Sequence, residues 1–172
     1  MESTDTPRTM ITFTRGKRKF TYRVGGIAIS QGRVLCQKAS RDPNNIFWFL
    51  PGGRAELDES SEETLRREVQ EELGEEAQVG RLLYFAEIFF TDTVDKLEHH
   101  EIGLYFELIF PATSYLYQEP GPFLRPEEES LPMIFEWLPI SELTTKFRLR
   151  PDFLSQALQE LPAHIQHIIH FE

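Results

Sequence analysis

From Met10 onward apolar residues alternate with polar ones, and Phe20, Tyr22 and Val24 lead into Gly25-Gly26 and then Ile27, Ala28 and Ile29. A period of two predicts a strand, with a break or bulge at the glycine pair. Gln31-Gly32 is a turn signal, and Val34 to Gln37 reads as the returning strand of a hairpin. After a loop at Arg41 to Asn45, the apolar run Phe47-Trp48-Phe49-Leu50 stops at Pro51-Gly52-Gly53. Proline has no N–H to give and paired glycines favour neither strand nor helix interior, so a sharp turn is forced there. The period then changes. Ser60 or Ser61 can cap a helix that runs to Leu73, Gly74 can end it, and Leu65, Val69 and Leu73 form its buried stripe.

Further on, Leu82 to Phe90 and Ile102 to Phe110 predict two strands joined by an acidic loop from Asp92 to His100. The stretch Pro111 to Pro132 holds five prolines and the run Glu127-Glu128-Glu129, the signature of a long surface excursion. Ile134 to Leu138 reads as a last strand, and Ser141 starts a short helical segment. Asp152 caps a C-terminal helix with Phe153, Ala157, Leu158 and Leu161 on its apolar face. His164, His167 and His170 recur every three residues and read as a surface or subunit-contact stripe. No repeat or linker divides the chain. One domain over residues 19–172, preceded by a partly flexible extension at 1–18, accounts for all of it.

Composition narrows the class. With 40% hydrophobic and 27% charged residues and 14 Phe among 172 residues, the chain is a globular one with an aromatic-rich interior. A net charge of -10 argues against a nucleic-acid polymer as partner, since backbone binding needs a basic stripe. No apolar run approaches the length of a membrane span, and no secretory signal opens the chain, so a cytoplasmic protein is expected. The single cysteine, Cys36, fits a reducing compartment and sits in an apolar run as a small core residue.

One segment carries chemistry: Gly53, then Glu59, Arg67-Glu68-Val69, Glu71-Glu72 and Gly74. Helix positions three and four apart share a face, so Glu68, Glu71 and Glu72 crowd one side, at the rim of the buried stripe. Arg67 reaches Glu71 at i+4, but one guanidinium cannot balance three carboxylates. An all-oxygen cluster suits a hard divalent cation, Mg²⁺ above all, which binds few carboxylates and keeps positions for substrate phosphates. The Gly53 backbone can offer a carbonyl to the same ion.

Together with Leu50-Pro51-Gly52-Gly53 ahead of it, this segment resembles the Nudix box of the Nudix hydrolases, spanning Gly53 to Glu75. It departs from the family pattern at Glu75, where a hydrophobic residue is usual, which touches helix exit packing and not the acidic set. A looser similarity extends over about residues 20 to 145 and includes Trp137-Leu138-Pro139 followed by Glu142-Leu143. The resemblance implies an α+β fold, an α/β/α sandwich around a central mixed β-sheet. It also implies Mg²⁺-dependent hydrolysis of the pyrophosphate bond in a nucleoside diphosphate linked to another group, with Mn²⁺ as an alternative ion. Glu68, Glu71 and Glu72 would hold the metal with Gly53, Arg67 would orient them, and Glu59 would brace the loop and helix; Glu71 or Glu68 is near enough to act as base.

Outside the box the candidates are weaker. Arg23 and Lys38 are cations on strands before it; Trp48 and Phe49, with Phe47, Phe89 and Phe90, can form a stacking platform, although about half of strand aromatics point into a core. Glu87, Glu101 and the run Glu127 to Glu129 are candidates for an additional ligand, base or substrate contact, and His99-His100 for a loop role near substrate. The partner expected is a nucleotide-derived small molecule, with neither membrane nor nucleic-acid polymer, and Met10 to Thr14 can pair across a homodimer. Two other readings stay open: a nucleotide sensor without turnover, and a diphosphate isomerase, which would need a catalytic cysteine or acid near the metal.

Overall fold

The computed structural model describes residues 8–39, 44–127 and 130–172. The strands are β1 (Thr12–Arg15), β2 (Arg18–Ile27), β3 (Ile29–Ser30), β4 (Arg33–Ala39), β5 (Phe47–Phe49), β6 (Gly52–Arg54), β7 (Gln78–Thr91), β8 (Glu98–Ile109), β9 (Phe123–Glu127), β10 (Ser130–Pro139), β11 (Leu149–Arg150) and β12 (Gln166–Phe171). The helices are α1 (Ser61–Leu73), α2 (Tyr115–Gln118) and α3 (Phe153–Ala157). One mixed sheet runs β1-β2-β8-β7-β12, with β6 on β2; a second runs β11-β5-β4-β10-β9, with β3 on β4. Few helices around mixed sheets make this the α+β architecture expected.

Two apolar cores hold the layers. Ile27, Cys36, Trp48, Leu83, Tyr84, Ile88, Tyr105 and Leu138 pack between the sheets, while Val24, Leu35, Phe106 and Phe135 pack with Leu65, Val69 and Leu73 of α1. Those three helix residues are fully buried, worth about 1.5–3 kcal/mol each. That exceeds the few tenths of a kcal/mol that each like-charge pair costs an exposed helix, so α1 can carry its acidic side. No helix among the described residues is long and apolar enough to cross a membrane.

Of the local expectations, the turn at Gln31-Gly32 and the strand-forming segment after Met10 are met, and others are corrected. The hairpin is β3–β4, turning at Gln31 and Gly32 with φ of 50° and 72°, the left-handed pair that matches strand twist. β2 runs unbroken through Gly25-Gly26. A Cβ there would come within 2.9 Å of the Tyr105 ring or 2.8 Å of Leu108, so these glycines admit neighbours and do not interrupt the strand. From Met10 the N-terminal segment belongs to the fold: β1 pairs with β2 as an edge strand, and Met10 bridges to Glu56.

The proline-rich stretch is no bare loop, since it carries α2 and β9 and buries Leu116 and Phe123; Glu128, Glu129 and the side chain of Glu127 lie outside the described residues. The acidic loop is shorter than predicted, because β8 already starts at Glu98. After the short α3 the chain ends in β12, parallel to β7. A strand alternates every two residues, so a three-residue spacing sends His167 and His170 to opposite faces. His167 meets Glu87 at 2.9 Å and His170 packs on Phe153, and the expected stripe does not form.

Candidate active site

The turn before α1 depends on its glycines. Gly52 has φ 138°, and a Cβ on it would strike the Val24 carbonyl at 2.2 Å. At Gly53 a Cβ would lie 2.3 Å from the Glu68 carboxylate, so the acidic face of α1 sits directly on this backbone. Pairing of Val24 with Gly53 and Gly25 with Gly52 ties the turn to β2. The helix is fixed at both ends: Ser60 and Glu63 form a reciprocal capping box, with bonds of 3.2 and 2.8 Å, and Gly74 closes α1 in the left-handed conformation.

Arg67 is the junction of the site. Its Nε and Nη2 donate to the two Glu59 oxygens at 2.7 and 3.0 Å, its Nη1 to Glu68 at 2.9 Å and Glu71 at 3.3 Å, and Nη2 also to the Arg54 carbonyl at 3.2 Å. A forked guanidinium–carboxylate pair of this kind fixes direction as well as charge. The bond to Arg67 is the main cause that holds the Glu59 carboxyl below its usual range, against the opposing effect of burial; the Thr64 hydroxyl, 3.1 Å away, adds to the lowering. Arg8, far away in sequence, donates to Glu56 at 2.9 Å and to Glu71 at 2.8 Å. No helical spacing signals that contact.

Glu72 is treated differently. It accepts from the Gly52 N–H at 3.1 Å, and burial pushes its carboxyl up to about 8, with Gly52 and Arg23 opposing and Glu68 and Glu71 reinforcing. A half-buried carboxylate that has negative neighbours and, among the described residues, no guanidinium or ammonium bonded to it is a group a divalent cation would neutralise. The donor set therefore fits a hard cation: Glu68 and Glu72 converge on the Gly52-Gly53 turn, with Glu71 beside them. The three carboxylates do not close into a tight triad as they stand, because Glu68 and Glu71 turn toward Arg67 and Arg8. A tighter group, Asp92, Asp95 and His99, occupies the β7–β8 turn. Its oxygens are engaged by the N–H groups of Val94, Asp95 and Leu97 and by His99 itself, which makes it a turn-closing network.

A cleft of about 470 Å³ lies between the inner face of the first sheet and β5. It gathers Arg23, Arg54, Phe47, Phe49, Phe90, Glu101 and Tyr105, with Arg148, Arg150 and Glu172 on its far wall. Arg23 stands over Phe49 at 5.1 Å and feels Glu72 electrostatically, so it joins the box to the cleft. Of the residues singled out in the sequence, Arg23, Phe47, Phe49, Phe90, His99 and Glu101 line the cleft. Lys38, Trp48 and Glu87 do not. Trp48 is 5% exposed and packs against Phe147, Lys38 lies 6.0 Å from the outer Trp48 ring, and Glu87 projects from the other face of β7 to His167.

His99 stacks on Phe90 at the cleft edge, whereas His100 turns outward against Phe89. Sequence reasoning missed Arg54, Tyr105 and Arg8; for Tyr105 a signal was present, because Glu101, Gly103 and Tyr105 share one face of a strand at a period of two.

A family model described as the NUDIX domain matches residues 19–159. Solved structures are similar in fold. The MutT protein of Bacillus halodurans is 18% identical with a TM-score of 0.58, over 87% of this chain and 89% of that one. The MutT protein of Methanosarcina mazei is 20% identical with a TM-score of 0.56, over 81% and 91%. The ORF135 protein of E. coli is 22% identical with a TM-score of 0.52, over 81% and 89%. A comparison with curated protein sequences gave no match. With the glycine turn, the capped acidic helix and the Arg67 junction all inside the matched residues, this chain belongs to the Nudix family of hydrolases.

Proposed function

We propose that this Nudix hydrolase cleaves the pyrophosphate bond of a nucleoside diphosphate linked to another group, in a reaction that depends on Mg²⁺ or Mn²⁺ held by Glu68, Glu72 and Glu71 with the Gly53 carbonyl. The observation that carries this reading is the convergence of Glu68 and Glu72 on the Gly52-Gly53 turn at the mouth of a cleft that holds Arg23 and Arg54. A divalent ion held there would lower the pKa of water and stabilise charge building on phosphate oxygens. Arg67 holds Glu68 and Glu71 in direction, and Glu59 holds Arg67. Arg23 and Arg54 meet the negative phosphates from the cleft side, and Phe47 and Phe49 flank a flat group beyond them.

Glu71 or Glu68 accepts the proton of the attacking water; Glu68 keeps its Oε2 free of hydrogen bonds among the described residues, whereas Glu71 is held by both Arg67 and Arg8. Cys36 is fully buried and burial pushes its thiol up, so no cysteine supports the isomerase reading.

The direct test is release of nucleoside monophosphate from a panel of sugar nucleotides, dinucleoside polyphosphates and nucleoside triphosphates, with and without Mg²⁺. Turnover of at least one member, abolished by chelation, is expected. No turnover of any member at any Mg²⁺ concentration would leave a sensor in its place.

A further inference from the structure

Two polar groups on the cleft floor have no hydrogen-bond partner among the described residues. Tyr105 is 2% exposed, and its hydroxyl has no hydrogen-bond partner among the described residues. The ring is held in a slot made by two glycines on neighbouring strands. A Cβ on Gly103 would come within 2.8 Å of the ring and 2.9 Å of the hydroxyl, and one on Gly25 within 2.9 Å of the ring. Passing Gly103, the phenol points back along β8 toward Glu101, the next residue on the same face. The Glu101 carboxylate lines the same cleft and accepts no hydrogen bond among the described residues; Arg23, His99 and Arg54 act on it only through space, as does the negative Glu172.

Buried polar atoms are nearly always paired, and an unpaired hydroxyl or carboxylate is costly. The two on one floor, the hydroxyl buried and the carboxylate half-buried, call for a ligand that supplies the missing bonds. Phe47 and Phe49 stand edge to face at 5.4 Å and Phe90 lines the same cleft, walls suited to a flat ring. An ionised carboxylate accepts and cannot donate, so a ring edge facing ionised Glu101 must offer N–H.

Resting on the nucleotide reading above, we infer that Glu101 and Tyr105 read the polar edge of the base and select nucleotides whose base carries an exocyclic amine over those with a carbonyl in its place. A carbonyl oxygen facing the carboxylate would leave two acceptors opposed and unpaired, a rejection by mismatch and not by size.

Binding of ADP against IDP, and of CDP against UDP, to the metal-free full chain tests this by calorimetry. A preference of roughly tenfold or more for the amino-bearing member of at least one pair is expected. Glu101→Gln, whose amide can donate, narrows that preference and raises KM with kcat held within a few fold. Tyr105→Phe weakens binding of the preferred nucleotide, and because it deletes an unpartnered hydroxyl the melting temperature of the free protein does not fall. Equal binding within both pairs, or unchanged affinity and preference in both variants, overturns the inference. The two readings fail separately: Mg²⁺-dependent turnover without base preference sinks this one alone, and base preference without turnover sinks only the hydrolase.

Discussion

The two ends of the cleft are built in opposite ways. At the box, Arg67 contacts three carboxylates and a carbonyl within 3.3 Å, and Arg8 ties Glu71 and Glu56 from outside. On the floor, neither the Glu101 side chain nor the buried Tyr105 hydroxyl has a hydrogen-bond partner among the described residues. Around Arg67 the electrostatics are opposite to those of the floor, while Glu72 at the edge of the box is pushed up by burial as the floor groups are. Hydrogen bonds to Arg67 pull the Glu59 carboxyl down, whereas burial pushes Glu101 and the Tyr105 phenol up. A network that satisfies itself is pre-organised and indifferent to what the rest of the substrate is, while groups left open can be satisfied only by a particular ligand. The box end thus suits the bond-breaking step, and the floor suits the choice of substrate.

The largest effect expected from breaking this division is at the box. Glu68→Gln and Glu72→Gln should each lower turnover of the best substrate by roughly a hundredfold or more. Metal-free melting temperature should change little, because each Gln keeps an acceptor oxygen for the bond its Glu makes, to Arg67 at position 68 and to the Gly52 N–H at position 72, and burial already disfavours the Glu72 anion. The base preference measured by nucleotide binding should survive both. A double variant that turned over substrate as fast as the parent would remove these carboxylates from the reaction.

A smaller effect, visible mainly in stability, separates the bracing of the box from its chemistry. Glu59 is less than a quarter exposed and its carboxyl is lowered chiefly by its hydrogen bonds to Arg67. A carboxyl with a folded pKa below the unfolded value of about 4.3 contributes stability above that value and loses it as pH falls through the folded pKa. Glu59→Gln should therefore cost about 1–2 kcal/mol near neutral pH. The deficit should shrink steadily as pH drops below about 4. Chemical denaturation of parent and variant at several pH values checks this; a deficit independent of pH would mean that Glu59 acts through packing alone.

The box was legible because its chemistry is local. Glu68, Glu71 and Glu72 share a side by helical spacing, at the rim of the stripe that Leu65, Val69 and Leu73 mark. The floor was less legible because it is made by register. Glu101 lies opposite Thr21 and Ile88, and Arg23 opposite Gly103 and Arg54, pairings that no single run of residues announces. Trp48 and Phe49 show the limit plainly, since adjacent strand residues face opposite ways and nothing in the run Phe47 to Leu50 says which ring enters the core. The terminal segment misled for a related reason: its three-residue histidine spacing suits a helix, but a parallel pairing with β7 decides its conformation.

The finest comparison concerns how independent the two ends are. Ser60 caps α1 through bonds of 3.2 Å from the Glu63 N–H and 2.8 Å to the Glu63 carboxylate, on the exposed end of the helix and away from the floor. Ser60→Ala should cost about 1 kcal/mol, read as a fall of about 2–4 °C in melting temperature for a chain of this size. Fraying of the first helical turn reaches Arg67 only through Glu59 and Thr64, so turnover should fall by less than about tenfold. If the ends are separately held, the ratio of ADP to IDP affinity should match the parent, since distant sites without shared partners behave additively. A cap variant that altered that ratio as strongly as Glu101→Gln would show that α1 and β8 move as one unit.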